Sequence, residues 1–215
     1  MNQTQSTKFI AHISHGWRNI LESPKIYNLW QKICGAEKWK KRIINEYIKP
    51  IERKRILDVG CGTGSILTAL NKKQMIDYVG CDININYINF AKKNNPKYGH
   101  FYCCGVDNLP TSESNFDIVL AIAIFHHLDD TTSLELIKTI KQKLNKNGVF
   151  ILAEPVWTEK QSLIEKFLMK KDRGQNIKTE AGYLELLKSN FSIIESKIIS
   201  DSHYIPWTVN LIVSK

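Results

Sequence analysis

The sequence predicts an α/β fold: a doubly wound, mostly parallel seven-stranded sheet with an antiparallel edge pair, plus N-terminal helices. Three observations predict it. Seven apolar runs are bounded by turn residues, as strands are. Helical stretches lie between most of them, and strand–helix alternation builds a parallel sheet covered on both faces. The last two runs are joined only by Ser200 to Ile205. A parallel crossover takes about a dozen residues, so these two strands should pair antiparallel.

Residues 1–50 read as a helical lid or cap. Ile26, Leu29, Trp30 and Ile33 stand at helical spacing, and Pro24 sits near that helix's start. Residues 51–215 form the main domain. Its strands are expected at Arg55 to Gly60, Tyr78 to Asp82, His100 to Cys104 and Phe116 to Ile122, then Val149 to Glu154, Phe191 to Ile199 and Pro206 to Val213. Helices are expected at Ser65 to Lys72, Asn84 to Asn94, Thr131 to Leu144 and Thr179 to Lys188. In the third of these, Leu134, Ile137 and Leu144 oppose Lys138 and Lys141. Residues 155–190 read as a helical insertion on the substrate side.

Composition narrows the function. Of 215 residues, 43% are hydrophobic and 24% charged. That is ordinary globular usage and excludes a mainly disordered chain. The longest apolar run, Ile118 to Phe125, has eight residues, far short of a membrane span. The opening MNQTQSTKF lacks the order of a secretory signal, so a cytoplasmic location is expected. The net charge of +9 favours anionic partners. Residues 36–55 hold eight basic against three acidic side chains; a solvated helix face would explain them equally well. The five cysteines include no Cys-x-x-Cys pair. Reduced thiols and no metal site are expected. Cys61, Cys81, Cys103 and Cys104 fall at or beside strands and read as small buried residues.

The strongest chemical signal is Ile56-Leu57-Asp58-Val59-Gly60-Cys61-Gly62-Thr63-Gly64. A strand runs into three alternate glycines, and a helix follows. Such glycines let the backbone turn tightly against a ligand. Ser65 stands where a dinucleotide-binding fingerprint needs its third glycine, and no Gly-Lys-Ser/Thr of a P-loop follows. Asp82 comes 22 residues after Gly60, at the end of the second strand. A carboxylate there can accept both hydroxyls of a ribose; it could equally cap the helix that follows.

These motifs, with Val106-Asp107-Asn108-Leu109-Pro110, the run from Phe116 to Leu128 and Leu144-Asn145-Lys146-Asn147-Gly148, resemble the class I S-adenosylmethionine-dependent methyltransferases. The resemblance covers roughly residues 51–155 and implies a Rossmann-like fold with S-adenosyl-L-methionine as cofactor. It implies that Gly60, Gly62 and Gly64, with Asp58, line the methionine portion. Asp82 would hold the ribose. Asp107 would accept from the adenine amino group, with Val106 against the ring, although an Asx turn would also place Asp107 there. The Ala121 carbonyl would face the methionine amine. Asn147 departs from the family's usual proline, at a turn.

The acceptor is less marked. Asn-Pro-Pro-Tyr, typical of enzymes that methylate base or glutamine nitrogens, is replaced by Ala-Ile-Phe-His-His-Leu. That resembles small-molecule methyltransferases, with transfer expected at oxygen. His126 and His127 stand where the methyl group should emerge. Either can serve as the base, or pack structurally. Tyr27 and Trp30 are candidate lid residues, or helix core. Glu154 and Trp157 follow the fifth strand at its ligand-binding edge. Arg173 is a candidate clamp for an anionic acceptor, or an exposed loop residue. The basic charge keeps methylation of RNA as the alternative. A further one is a non-catalytic cofactor-binding subunit that activates a partner.

Overall fold

The computed structural model describes residues 23–48, 54–70, 77–172 and 174–215. Eight strands form one sheet: β1 Arg55–Val59, β2 Asp77–Cys81, β3 His100–Tyr102, β4 Phe116–Ile122, β5 Leu144–Trp157, β6 Lys178–Thr179, β7 Ile193–Ile199 and β8 Val209–Ser214. The order is β3-β2-β1-β4-β5-β8-β7, with β6 against the far end of β5. Pairing is parallel from β3 through β5, and β8 runs antiparallel to both β5 and β7. The short link after β7 therefore makes the expected edge pair.

The central strands are buried on both faces, as parallel strands under two helix layers must be. Leu57, Val79, Val119, Ala121 and Phe150 point to one core, shared with Leu136, Ile137 and Tyr183. Ile56, Tyr78, Ile118, Leu120 and Ile151 point to the other, shared with Trp39, Ile66 and Ile88. Period-two alternation decides which residue joins which core. The helices are α1 Pro24–Cys34, α2 Ala36–Ile43, α3 Ser65–Ala69, α4 Ile85–Asn94, α5 Asp130–Lys143, α6 Leu163–Lys170 and α7 Glu180–Leu187.

Several boundaries move. β5 is longer than Val149 to Glu154 because it is paired at both ends. Leu144 lies opposite Phe116 across a bulge, and Val156 and Trp157 pair with β6. A two-residue strand has no readable periodicity, so β6 is an eighth strand the sequence does not announce. α3 stops at Ala69 because Leu70 turns extended. α5 buries Ser133, Leu136, Ile137 and Ile140, a face one position off the expected Leu134 line. β3 ends at Tyr102, which leaves Cys103 exposed in the following loop rather than buried; Cys61 and Cys81 are buried as expected. Among the described residues, no helix is long and apolar enough to cross a membrane.

Candidate active site

Asp58, at the end of β1, is buried to 2% exposure and accepts from the Tyr78 hydroxyl at 2.5 Å. Burial pushes its carboxyl up to about 7, against the pull of Tyr78 and Lys40. After Val59 the chain takes three left-handed steps at Gly60, Gly62 and Gly64, with φ of +66°, +54° and +73°. Side chains rarely adopt such values, so the alternate glycines are what let this turn form. Among the described residues, a Cβ on Gly62 would meet nothing within 4 Å, whereas one on Gly60 would lie 2.0 Å from the Ile124 Cδ1. Gly62 is buried yet leaves room for a Cβ among the described residues, and Ile124 covers Gly60.

Asp82 follows β2 directly. Its Oδ2 accepts the Gly62 N–H at 3.0 Å and its Oδ1 accepts the Asn84 N–H at 2.8 Å. Burial raises its pKa, and these two bonds oppose the rise. The cap of α4 is Asn84, whose Oδ1 accepts from Asn86 and Tyr87. Asp82 is thus not the cap and keeps a lone pair on each oxygen. It borders a cavity of about 100 Å³ lined by Val59, Gly60, Cys81, Ile83, Val106 and Ile124 among others. Val106 is buried on the turn that follows β3, and Asp107 is exposed beside it.

Ala121 is the penultimate residue of β4, in register with Val59 and Leu152. The residue exposed at the strand's end is Ala123, which is left-handed at φ +57°. Strain at a non-glycine residue costs about 1–3 kcal/mol and marks a site its surroundings hold in place. The turn Phe125–His127 follows at once.

Glu154, on β5, grips this turn. Its Oε1 accepts the N–H groups of Ile124 and Phe125 at 2.7 and 2.8 Å, and its Oε2 that of His126 at 3.2 Å. The same Oε2 lies 2.6 Å from the His126 Nδ1, while the His126 Nε2 lies 3.2 Å from Asp172 Oδ1. Burial alone would lower the His126 pKa. The two carboxylates overcome it and hold the ring up at about 9. Burial would raise Asp172, yet the His126 ring and the Gly174 N–H keep its carboxyl below the usual range. The His127 ring lies against that of His126, tilted by 40°, with centroids 4.0 Å apart.

The structure thus brings His126, His127 and Glu154 together with Asp172, a residue the sequence analysis does not single out. Glu154 faces the turn instead of an acceptor, and both His126 nitrogens are engaged. Trp157 ends β5 in register with Thr179. Trp30 is half exposed on α1, and the Tyr27 ring lies 5.2 Å from that of Tyr87 on α4. Arg173 lies outside the described residues.

The N-terminal helices touch the glycine turn through residues the sequence did not single out. The Thr63 hydroxyl donates to Asn28 at 2.7 Å. Buried Lys40 donates to the Ser65 hydroxyl at 2.8 Å and to Gln31 at 3.1 Å. Burial brings Lys40 down to about 8, with Asp58 resisting. A lone polar residue on a helix carries no sequence signature of what it will meet.

Comparison with known proteins adds the family. A methyltransferase domain family matches residues 52–200. A tRNA U34 carboxymethyltransferase of Campylobacter jejuni subsp. jejuni is 29% identical over 116 residues, 51% of this chain and 38% of that protein. The chain thus spans well under two thirds of that relative. A TehB-like SAM-dependent methyltransferase from Corynebacterium glutamicum superposes with a TM-score of 0.64 at 18% identity, over 92% of this chain and 99% of that one. A putative methyltransferase solved with the Haloferax volcanii Trm112 activator gives 0.73 at 16% identity, over 94% and 98%. These two likenesses are of fold.

Proposed function

The chain belongs to this methyltransferase domain family, as a class I S-adenosylmethionine-dependent methyltransferase, and on that premise we propose a small-molecule acceptor methylated at oxygen. The observation that carries the proposal is the rigid His126–His127 turn, bracketed by Ile124 and Leu128, both of which line the cavity at Asp82.

The residues fit the cofactor. Asp82 has a lone pair on each oxygen for the ribose hydroxyls, Val106 offers an apolar wall for the adenine, and Gly62 leaves room for close approach among the described residues. Asp107 stands beside Val106 to accept from the adenine amino group. Asp58, held by the Tyr78 hydroxyl, stands two residues before the glycine turn on the methionine side. The carbonyl nearest the methionine amine is assigned to Ala123, since Ala121 is enclosed in the sheet. Ile124, whose Cδ1 lies over Gly60, lines the same cavity as Asp82 and Val106. S-adenosylmethionine supplies an electrophilic methyl group on a sulfonium. The chain's own part is alignment, exclusion of water and removal of the acceptor's hydroxyl proton by His127, since both nitrogens of His126 are engaged by Glu154 and Asp172. Tyr27 and Trp30 on α1 form the lid, Trp157 walls the acceptor side, and Arg173 meets an acceptor's anionic group.

RNA is the second reading, favoured by the Campylobacter relative and the +9 charge. One experiment separates the two. The protein is incubated with methyl-labelled S-adenosylmethionine and either a panel of hydroxylated small molecules or bulk tRNA. Label in the small-molecule fraction supports the proposal. Label only in tRNA overturns it.

A further inference from the structure

Three ligand-type side chains converge at the acceptor end of the sheet: His126, His127 and Asp172, with their donor atoms all within 4.8 Å of one another. They come from two segments, the turn after β4 and the loop after α6. We propose that His126 Nε2, a His127 ring nitrogen and an Asp172 oxygen bind a divalent transition-metal ion of the zinc class.

The spacing of one ligand pair already fits, and the third lies within 4.8 Å, a gap that turning the His127 ring would close. Ligand atoms about 2.0–2.2 Å from a zinc-type ion stand about 3.0–3.6 Å from each other. The His126 Nε2 to Asp172 Oδ1 distance is 3.2 Å. In the ion's absence that gap is closed by a hydrogen bond, which the ion would replace.

The surroundings are those of a prepared ligand. A metal-binding imidazole usually donates its other N–H to a carboxylate, which fixes the tautomer and strengthens the ligand. Glu154 does this for His126 Nδ1 at 2.6 Å, while three backbone N–H groups hold Glu154 itself. Gly174 permits the close approach of the Asp172 loop. A Cβ there would fall 1.8 Å from the His126 Cδ2. The loop is tied down further by the Asn176 N–H, which donates to the His126 carbonyl at 2.9 Å.

The donor set also fits the charge. Two carboxylates face His126, which is 3% exposed, while His127 and Asp172 are partly exposed and leave the site open on one side. Imidazole with carboxylate suits zinc, iron and related ions. Three protein ligands leave a position open for an exogenous oxygen. The ion's role rests on the reading of an acceptor methylated at oxygen. An acceptor hydroxyl on the ion would lose its proton to solvent at a lower pH. The two-histidine turn would then act as a ligand pair, with the ion taking the place of a histidine base.

The test uses the full chain, stripped with a chelator and titrated with Zn²⁺ by calorimetry and with Co²⁺ by visible absorption. No cofactor or acceptor is present, so failure here would leave the methyl-transfer reading standing, and failed acceptor methylation would leave the ion site standing. One Zn²⁺ per chain is expected, with a Co²⁺ spectrum of nitrogen–oxygen ligation. His127→Ala and Asp172→Asn should each weaken binding at least about 10-fold, and Glu154→Gln about 10-fold through the tautomer. His100→Ala, far along the sheet and exposed, should change nothing. Hyperfine-shifted resonances from two histidine rings in the Co²⁺-loaded wild type would support the site even where a variant fails to fold. Absence of binding, or equal affinity in the His127→Ala and His100→Ala proteins, would overturn it.

Discussion

Glu154 and His126 stand 28 residues apart in sequence, yet the Glu154 carboxylate touches the His126 ring, its backbone N–H and the two N–H groups before it. One side chain on β5 therefore fixes both the path and the protonation of the turn after β4. The pair is nearly dry, so each partner depends on the other.

That dependence sets the first prediction. Glu154→Gln removes a charge from a buried pair and leaves the imidazolium facing Asp172 alone. Breaking such a pair costs about 3–5 kcal/mol. Urea unfolding should show a loss of stability of that size, read as a lower midpoint with the slope unchanged. A shift under about 1 kcal/mol would mean that the turn holds itself.

The cofactor assignment predicts that Asp82→Ala weakens S-adenosylmethionine binding by about 1.5–3 kcal/mol, or roughly 10–150-fold, the range for hydrogen bonds to charged groups. Calorimetry reads this directly. S-adenosylhomocysteine should suffer the same loss, because the ribose is common to both. NADH should not bind, since the glycine spacing is not that of a dinucleotide site.

Gly174→Ala puts a methyl group where the His126 ring already lies. Either the loop at Asp172 or the ring must shift. Overpacking of this kind costs about 1–3 kcal/mol. Thermal unfolding should show the loss, and the His126 ring resonances should move. Gly182→Ala, whose nearest neighbour is the Lys178 Cβ at 3.1 Å, should cost less.

His203 predicts an acid limb of stability. Burial, and then Lys40, bring its pKa down from 6.5 to about 4. The folded state therefore binds fewer protons than the unfolded state between those values. Its contribution is fully present above pH 6.5 and is lost as the pH falls towards 4. The ring lies between Trp39 and Trp207, at centroid distances of 6.2 and 6.4 Å. His203→Phe should keep those contacts and flatten the loss measured by denaturant titration at pH 7 and pH 4.5. An unchanged difference between the two pH values would rule out this ring as its source.

The sequence by itself determined the sheet and half of the site. Seven of the strands, the antiparallel edge and the glycine turn leading to Asp82 are all local patterns. Apolar alternation, turn residues and spacing along one segment record them. The residues around Asp82 were legible because strand, turn and carboxylate follow one another over some two dozen positions. What only the tertiary structure decided is which groups meet across the sheet. Asp172 reaches His126 from 46 positions away in sequence, β6 exists only because β5 runs on to receive it, and Lys40 is buried against Ser65 by the packing of α2. Periodicity reports which face a residue occupies. It carries no record of the partner on the opposing element, because that partner is chosen by the packing of the whole sheet and its two helix layers.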